Sequence, residues 1–202
     1  MKKAKLLAVV IAVLAILAVF PFVTSAEEPT KNGWYNDKGY YEYFDYGEQY
    51  KNGEYWISES ESYFRFDADG KMYNKEWYKD PETLVYYYYK AGGYRADDCI
   101  LNIDGAYYCF DDSGVMLNNQ EASIYNAEAD DWDFIRAKKG GALYCKEWYK
   151  NEYGNWYYYT DKAVAAMGLT KVGSATYYFA GDGWMLENTT YYDEAEGCTY
   201  FA

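Results

Sequence analysis

An apolar run extends from Leu6 to Val23, and beyond it the chain shows no long apolar stretch and no helical periodicity. In its place a short aromatic block followed by a polar turn recurs along the sequence. The clearest copies are Tyr63-Phe64-Arg65-Phe66 leading to Gly70 and Met72, Tyr107-Tyr108-Cys109-Phe110 leading to Gly114 and Met116, and Tyr177-Tyr178-Phe179 leading to Gly183 and Met185. In each, an aromatic precedes the glycine by four positions and Met follows it by two. Weaker copies fill the gaps. Tyr86 to Tyr89 lead to Gly93 and Arg95, Trp156 to Tyr159 lead to Ala163 and Ala165, another copy ends in Gly141-Ala142-Leu143, and a shortened first copy spans Tyr40 to Gly47. The anchors at 70, 93, 114, 141, 163 and 183 are spaced 23, 21, 27, 22 and 20 residues apart. Met72 to Lys79 also parallels Leu143 to Lys150, each carrying Lys-Glu-Trp-Tyr-Lys.

Aromatic side chains favour strands, and Asp-x-Asp-Gly supplies turn residues with a glycine able to take positive φ. One copy therefore predicts a β-hairpin. A lone hairpin is marginal in water, so stability must come from stacking of neighbours. The expected fold is all-β, an elongated β-hairpin solenoid of about seven aromatic repeats of roughly 20–23 residues. It occupies residues 33–202, with an acidic insertion at 122–133 that stretches one spacing and is expected as a loop or short helical turn.

Composition changes this picture in two ways. Aromatics make up 22% of the 202 residues, with 29 Tyr, while branched aliphatics are scarce after the first two dozen positions, so the core must be aromatic. The net charge is −13, which repels phosphate backbones and argues against nucleic acid as a partner. The chain has no His, which removes Ser–His and Cys–His nucleophile pairs and the common His-based metal sites. No enzyme, cofactor or metal is expected.

The N-terminus reads as an export signal: Lys2, Lys3 and Lys5, the apolar run, then Thr24-Ser25-Ala26 before Glu27-Glu28-Pro29. Cleavage after Ala26 removes three positive charges and leaves 176 residues carrying −16, joined through a linker at 27–32. The rival is an uncleaved membrane anchor, since eighteen apolar residues stand at the lower edge of spanning length. An exported chain with Cys99, Cys109, Cys145 and Cys198 suggests disulfides. Cys99 and Cys109 flank Asp104-Gly105, a hairpin-turn dipeptide, which raises a cross-strand bridge and leaves Cys145 with Cys198. Four free thiols is the alternative.

The unit Gly-Trp, turn, Trp/Tyr-Tyr-Tyr-Phe, Asp-x-x-Gly-x-Met resembles the cell-wall-binding repeat family, which includes choline-binding and glucan-binding modules. Asn32-Gly33-Trp34 begins the resemblance, and Gly154-Asn155-Trp156-Tyr-Tyr-Tyr matches the second aromatic block. Only Trp34, Trp77 and Trp148 stand at the Gly-Trp position, the last two after Glu, and the equivalent places elsewhere hold Ile100, Glu121, Thr170 and Thr190. The array is degenerate in this respect.

The resemblance implies aromatic cages between consecutive hairpins, closed by Met. A quaternary ammonium donates no hydrogen bond, so π faces and apolar contact must hold it. One cage is expected from Trp148 and Trp156 with Tyr177 or Tyr178 and Met185. A second combines Trp77 and Tyr86 with Tyr107 or Tyr108 and Met116, and a third Trp34 and Tyr41 with Tyr63 and Met72. The implied function is a secreted, wall-associated protein binding choline-bearing teichoic acid or glucan. The alternative is an adhesin-like protein binding another surface protein, with the aromatics serving only as inter-repeat core.

Overall fold

In the computed structural model, residues 30–36, 38–193 and 197–201 are described, with backbone alone at 191, 193, 198, 200 and 201. The expected export segment 1–26 lies outside the described residues, as do residues 27–29 of the linker. Seventeen short strands pair into eight antiparallel hairpins among the described residues. Hairpin 1 joins Gly33–Tyr35 to Glu42–Asp45 and adds the short strand Glu48–Gln49. Hairpins 2 to 4 pair Gly53–Ile57 with Ser62–Phe66, Glu76–Lys79 with Tyr86–Tyr89, and Cys99–Ile103 with Ala106–Phe110. Hairpins 5 to 8 pair Glu121–Asn126 with Asp131–Arg136, Glu147–Lys150 with Trp156–Tyr159, Gly168–Val172 with Ala175–Phe179, and Thr190–Asp193 with Cys198–Phe201.

The Gly-x-Met turns follow hairpins rather than forming them. In hairpins 2, 3, 4, 6 and 7 the aromatic block is the second strand, and its last residue, or in hairpin 5 the following Ala137, makes a single antiparallel bridge across the turn. These bridges are Phe66 with Met72, Tyr89 with Arg95, Phe110 with Met116, Ala137 with Leu143, Tyr159 with Ala165 and Phe179 with Met185. The six-residue register is constant although the sequence at its ends is not. The backbone explains this: the N–H of the anchor residue donates to the carbonyl three residues earlier in every copy, from Gly70 to Asp67 (3.1 Å) through Gly183 to Ala180 (2.8 Å).

A second set of bonds stitches each turn onto the preceding hairpin. The N–H of Met72 donates to the carbonyl of Tyr41 (2.8 Å), Arg95 to Tyr63 (3.0 Å), Met116 to Tyr86 (2.8 Å), Leu143 to Tyr107 (2.8 Å), Ala165 to Phe134 (2.7 Å) and Met185 to Trp156 (2.7 Å). Nearest-neighbour bonds of this kind make a solenoid. Its core is a column of end-of-strand residues, Phe66, Tyr89, Phe110, Ala137, Tyr159 and Phe179, all buried.

The acidic segment 122–133 is a regular hairpin, not a loop or helical turn. Glu121 pairs with Arg136 and Asn126 with Asp131, six rungs in all, and the extra length of that repeat lies in these rungs. Ala122, Ile124 and Asn126 are half-buried while Glu121, Ser123 and Tyr125 are exposed, the period-two pattern of a strand. The eighth hairpin closes the described chain and carries no Gly-x-Met turn.

Asp104-Gly105 is the hairpin turn expected, with φ of 51° and 89°. The register around it, however, sets Cys99 opposite Phe110 and Ile100 opposite Cys109. Cys99 and Cys109 therefore point to opposite faces and do not form the cross-strand bridge. Both are free thiols, as is Cys145, and burial pushes the Cys109 thiol up to about 12. The Cys198 side chain lies outside the described set.

Gly141 shows why the anchor is glycine. Its φ is 93°, and an added Cβ would fall on the Met116 thioether and 3.3 Å from the Leu117 carbonyl oxygen. Gly141→Ala is expected to cost about 1–2 kcal/mol, read as a lowered unfolding midpoint. Ala163 holds the same place at φ 62°, packed in one cluster with Leu143 rather than against a Met.

Candidate aromatic boxes between hairpins

Each junction between consecutive hairpins has four corners. Two come from the first hairpin: the first-strand residue one rung from the column, and the second-strand residue whose carbonyl receives the stitch. Two come from the next: the second-strand residue two before the column, and the residue at the Met place. Strand alternation sends all four toward the same space.

Three junctions are aromatic cages. The first has Trp34, Tyr41, Phe64 and Met72 around a cavity of about 230 Å³. Trp34 stands 6.4 Å from Tyr41 and 4.9 Å from Phe64, ring centre to centre. The second has Trp77, Tyr86, Tyr108 and Met116, with Trp77 5.0 Å from Tyr108. The third has Trp148, Trp156, Tyr177 and Met185 around about 290 Å³. Trp148 is 6.2 Å from Trp156 at 89° and 4.9 Å from Tyr177 at 75°. The three tryptophans are superimposable in setting: each lies about 6 Å from its column phenylalanine, at 6.0, 5.8 and 5.9 Å, with interplanar angles of 34–35°. They are half-buried, so each is at once core and cage wall.

The structure brings eleven of the expected residues together at these three junctions and places Tyr63, Tyr107 and Tyr178 elsewhere. Phe64, not Tyr63, faces the first cage; Tyr63 turns to the opposite face and pairs with Trp56 at 5.1 Å. Tyr108 and Tyr177 are the cage residues, while Tyr107 lies against the cluster of the next junction and Tyr178 is the cross-strand partner of Leu169. The Gly-Trp places move too. Leu169, not Thr170, and Tyr191, not Thr190, hold the rung next to the column, and Glu54 and Glu121 hold it in hairpins 2 and 5.

Two further junctions among the described residues are closed in other ways. Between hairpins 4 and 5, Ile100, Tyr107, Ile135 and Leu143 close into an aliphatic core. Between hairpins 2 and 3, Glu54 and Arg95 replace Trp and Met. Arg95 Nη1 donates to Glu54 Oε2 (2.8 Å) and Nε to Asp97 Oδ1 (2.6 Å), and its guanidinium lies 4.3 Å from the Tyr63 ring centre. Tyr89 donates to the other oxygen of Glu54 at 2.6 Å. Burial opposes the charge of Arg95, but the bond to Asp97 and the charges of Glu54 and Asp97 outweigh it and hold its pKa above the ordinary value. This box is filled by the protein's own cation.

Sequence reasoning passed over two further aromatic pairs. Trp56 with Tyr63 and Tyr125 with Trp132 are cross-strand pairs on hairpins 2 and 5, exposed by 36–51%. Among the described residues no cluster of acid or thiol groups is arranged to hold a metal.

The chain matches no protein-family model and no curated relative by sequence. It is similar in structure to choline binding protein F from Streptococcus pneumoniae, at a TM-score of 0.60 and 24% identity over 80% of this chain and 53% of that one. The same protein in the presence of a peptidoglycan analogue, a tetrasaccharide-pentapeptide, matches at 0.58 and 23% over 83% and 54%. CbpJ from Streptococcus pneumoniae TIGR4 matches at 0.60 and 20% over 80% and 54%. The chain thus spans about half the length of these structures. With the repeating hairpins, the stitched Gly-x-Met turns and the shared architecture together, this chain has the aromatic β-hairpin repeat fold seen in choline binding protein F and CbpJ.

Proposed function

We propose that this is an exported, non-catalytic repeat protein that holds choline-bearing cell-wall polymer, teichoic acid in particular, through three aromatic cages. The observation that carries the reading is the congruence of the three cages. In an array where other junctions have drifted to aliphatic or ionic corners, Trp, aromatic, aromatic and Met recur together at Trp34, Trp77 and Trp148. A trimethylammonium group fits such a space because it needs π faces and apolar contact and offers no donor to satisfy. The acidic net charge favours a cationic ligand. The name of choline binding protein F points the same way. Residues 1–26 serve as a cleaved export signal in this reading, and the absence of His from the sequence fits a non-catalytic role.

The test is a fluorescence titration of residues 27–202 with choline, alongside retention on purified choline-bearing walls. Quenching that saturates at millimolar choline, with release from walls at the same concentrations, is the expected result. No spectral response to choline and no retention would reject the reading. A second reading, glucan binding, rests on the exposed pairs Trp56–Tyr63 and Tyr125–Trp132, whose flat faces suit sugar rings. Retention on glucan unaffected by choline would select it.

A further inference from the structure

Hairpins 5 to 7 repeat the pattern of hairpins 2 to 4. The rung next to the column reads Glu54, Trp77, Ile100 and then Glu121, Trp148, Leu169. The surroundings of the two glutamates repeat as well. Arg65 lies over Tyr78 and Arg136 over Tyr149, at 3.2 and 4.0 Å. Tyr73 touches Tyr78 and Tyr89, just as Tyr144 touches Tyr149 and Tyr159. The junction of hairpins 5 and 6 is therefore the counterpart of the junction that Arg95 fills.

One corner differs. Ala165 stands where Arg95 does, and the space is a cavity of about 220 Å³ lined by Glu121, Phe134, Tyr157, Tyr159, Ala165 and Asp182. Tyr89 gives its hydroxyl proton to Glu54, but Tyr159, only 2% exposed, has no hydrogen-bond partner for its hydroxyl among the described residues. Tyr159 lines the cavity, so its hydroxyl is available to bond a polar group that enters there. Glu121 is bonded to Arg136, yet a carboxylate has lone pairs for more than one donor. Asp182 adds a second negative charge facing the cavity.

We propose that the box between hairpins 5 and 6 is a separate binding site that takes the alkylguanidinium group of an incoming ligand in the place its counterpart gives to Arg95. Guanidinium donors pair with Glu121, Asp182 and the Tyr159 oxygen, and its plane lies against Phe134 or Tyr157 as Arg95 lies against Tyr63. Choline is a poor occupant, because it cannot satisfy these acceptors and Trp and Met are absent from the corners. The site differs from the three cages in residues and in ligand, so it stands or falls apart from them.

The test titrates residues 27–202 with propylguanidinium and with a blocked Gly-Arg-Gly peptide, read by ligand-detected NMR and calorimetry. Saturable binding of either probe is expected. Tighter peptide binding identifies an arginine side chain of another protein as the source, and tighter propylguanidinium binding a small molecule. Ala165→Arg rebuilds the Arg95 plug and should weaken both probes at least tenfold while leaving the choline response intact. Its circular dichroism melt checks that it folds, and Glu121→Gln should weaken the probes several-fold without filling the cavity. Absence of binding by both probes to the natural sequence overturns the proposal, as does equal binding by the Ala165→Arg variant.

Discussion

Arg95→Ala should destabilise the protein by about 2–3 kcal/mol, several times the effect of removing an exposed ion pair. Arg95 is 9% exposed, and its guanidinium bonds both Glu54 and Asp97 while stacking on Tyr63. Truncation leaves Glu54 without its cation beside the buried Tyr89 and opens a void between hairpins 2 and 3. Breaking a fully buried pair costs about 3–5 kcal/mol, and the figure here is lowered because Glu54 and Asp97 reach solvent at 24% and 33% exposure. The control is Lys138→Ala, which breaks the open pair with Glu147 at 2.6 Å and should cost about 0.5 kcal/mol or less. Denaturant unfolding of both variants decides the matter, and equal midpoints would show that the Arg95 plug contributes no more than a surface pair.

Trp148→Ala should weaken choline binding at its cage at least tenfold and lower stability by about 2–3 kcal/mol. The indole touches Trp156, Tyr158, Tyr177 and Phe179. It supplies one wall of the cage and the contact between hairpins 6 and 7, so both losses follow from one side chain. Trp148→Phe separates them. A phenyl ring keeps much of the packing against Phe179 but shortens the wall, so affinity should fall further than stability. Calorimetric titration should also show one choline site fewer than in the natural sequence. An unchanged number of sites in Trp148→Ala would remove this junction from the ligand-binding set.

Much of the repeat was readable from residues. The glycine and aspartate turns, the aromatic four places before the anchor and the residue two places after it recur, and each bridge from Phe66–Met72 to Phe179–Met185 falls on that frame. These features are local: a positive φ and a bond three residues back are set by neighbours in the chain. Faces are what the residues leave open, and at Tyr63 the expected face is the wrong one. Tyr63 and Phe64, Tyr107 and Tyr108, and Tyr177 and Tyr178 are adjacent aromatics, and a run of them lacks the polar alternation that tells which points inward. The same one-residue uncertainty misplaced Thr170 for Leu169 and set Cys99 against Cys109. The acidic hairpin at 121–136 lacks the aromatic block of the other copies, and only the alternation of Ala122 and Ile124 marks its first strand. The Glu54–Arg95 pair spans 41 positions, and no spacing rule connects them.

By itself the sequence determined that this is an aromatic hairpin array, where its glycine-anchored turns lie and which residue occupies each Met place. Turn chemistry and strand propensity act within a few residues, so they survive in a linear reading. Only the tertiary structure decided which aromatics share a junction, which junctions stay open and which are closed by Ile135 or by Arg95. Those outcomes depend on the stitch from each Met-place N–H to the preceding hairpin, which brings together side chains roughly thirty residues apart. They also depend on the strand face each side chain takes, which only packing against the next repeat can fix.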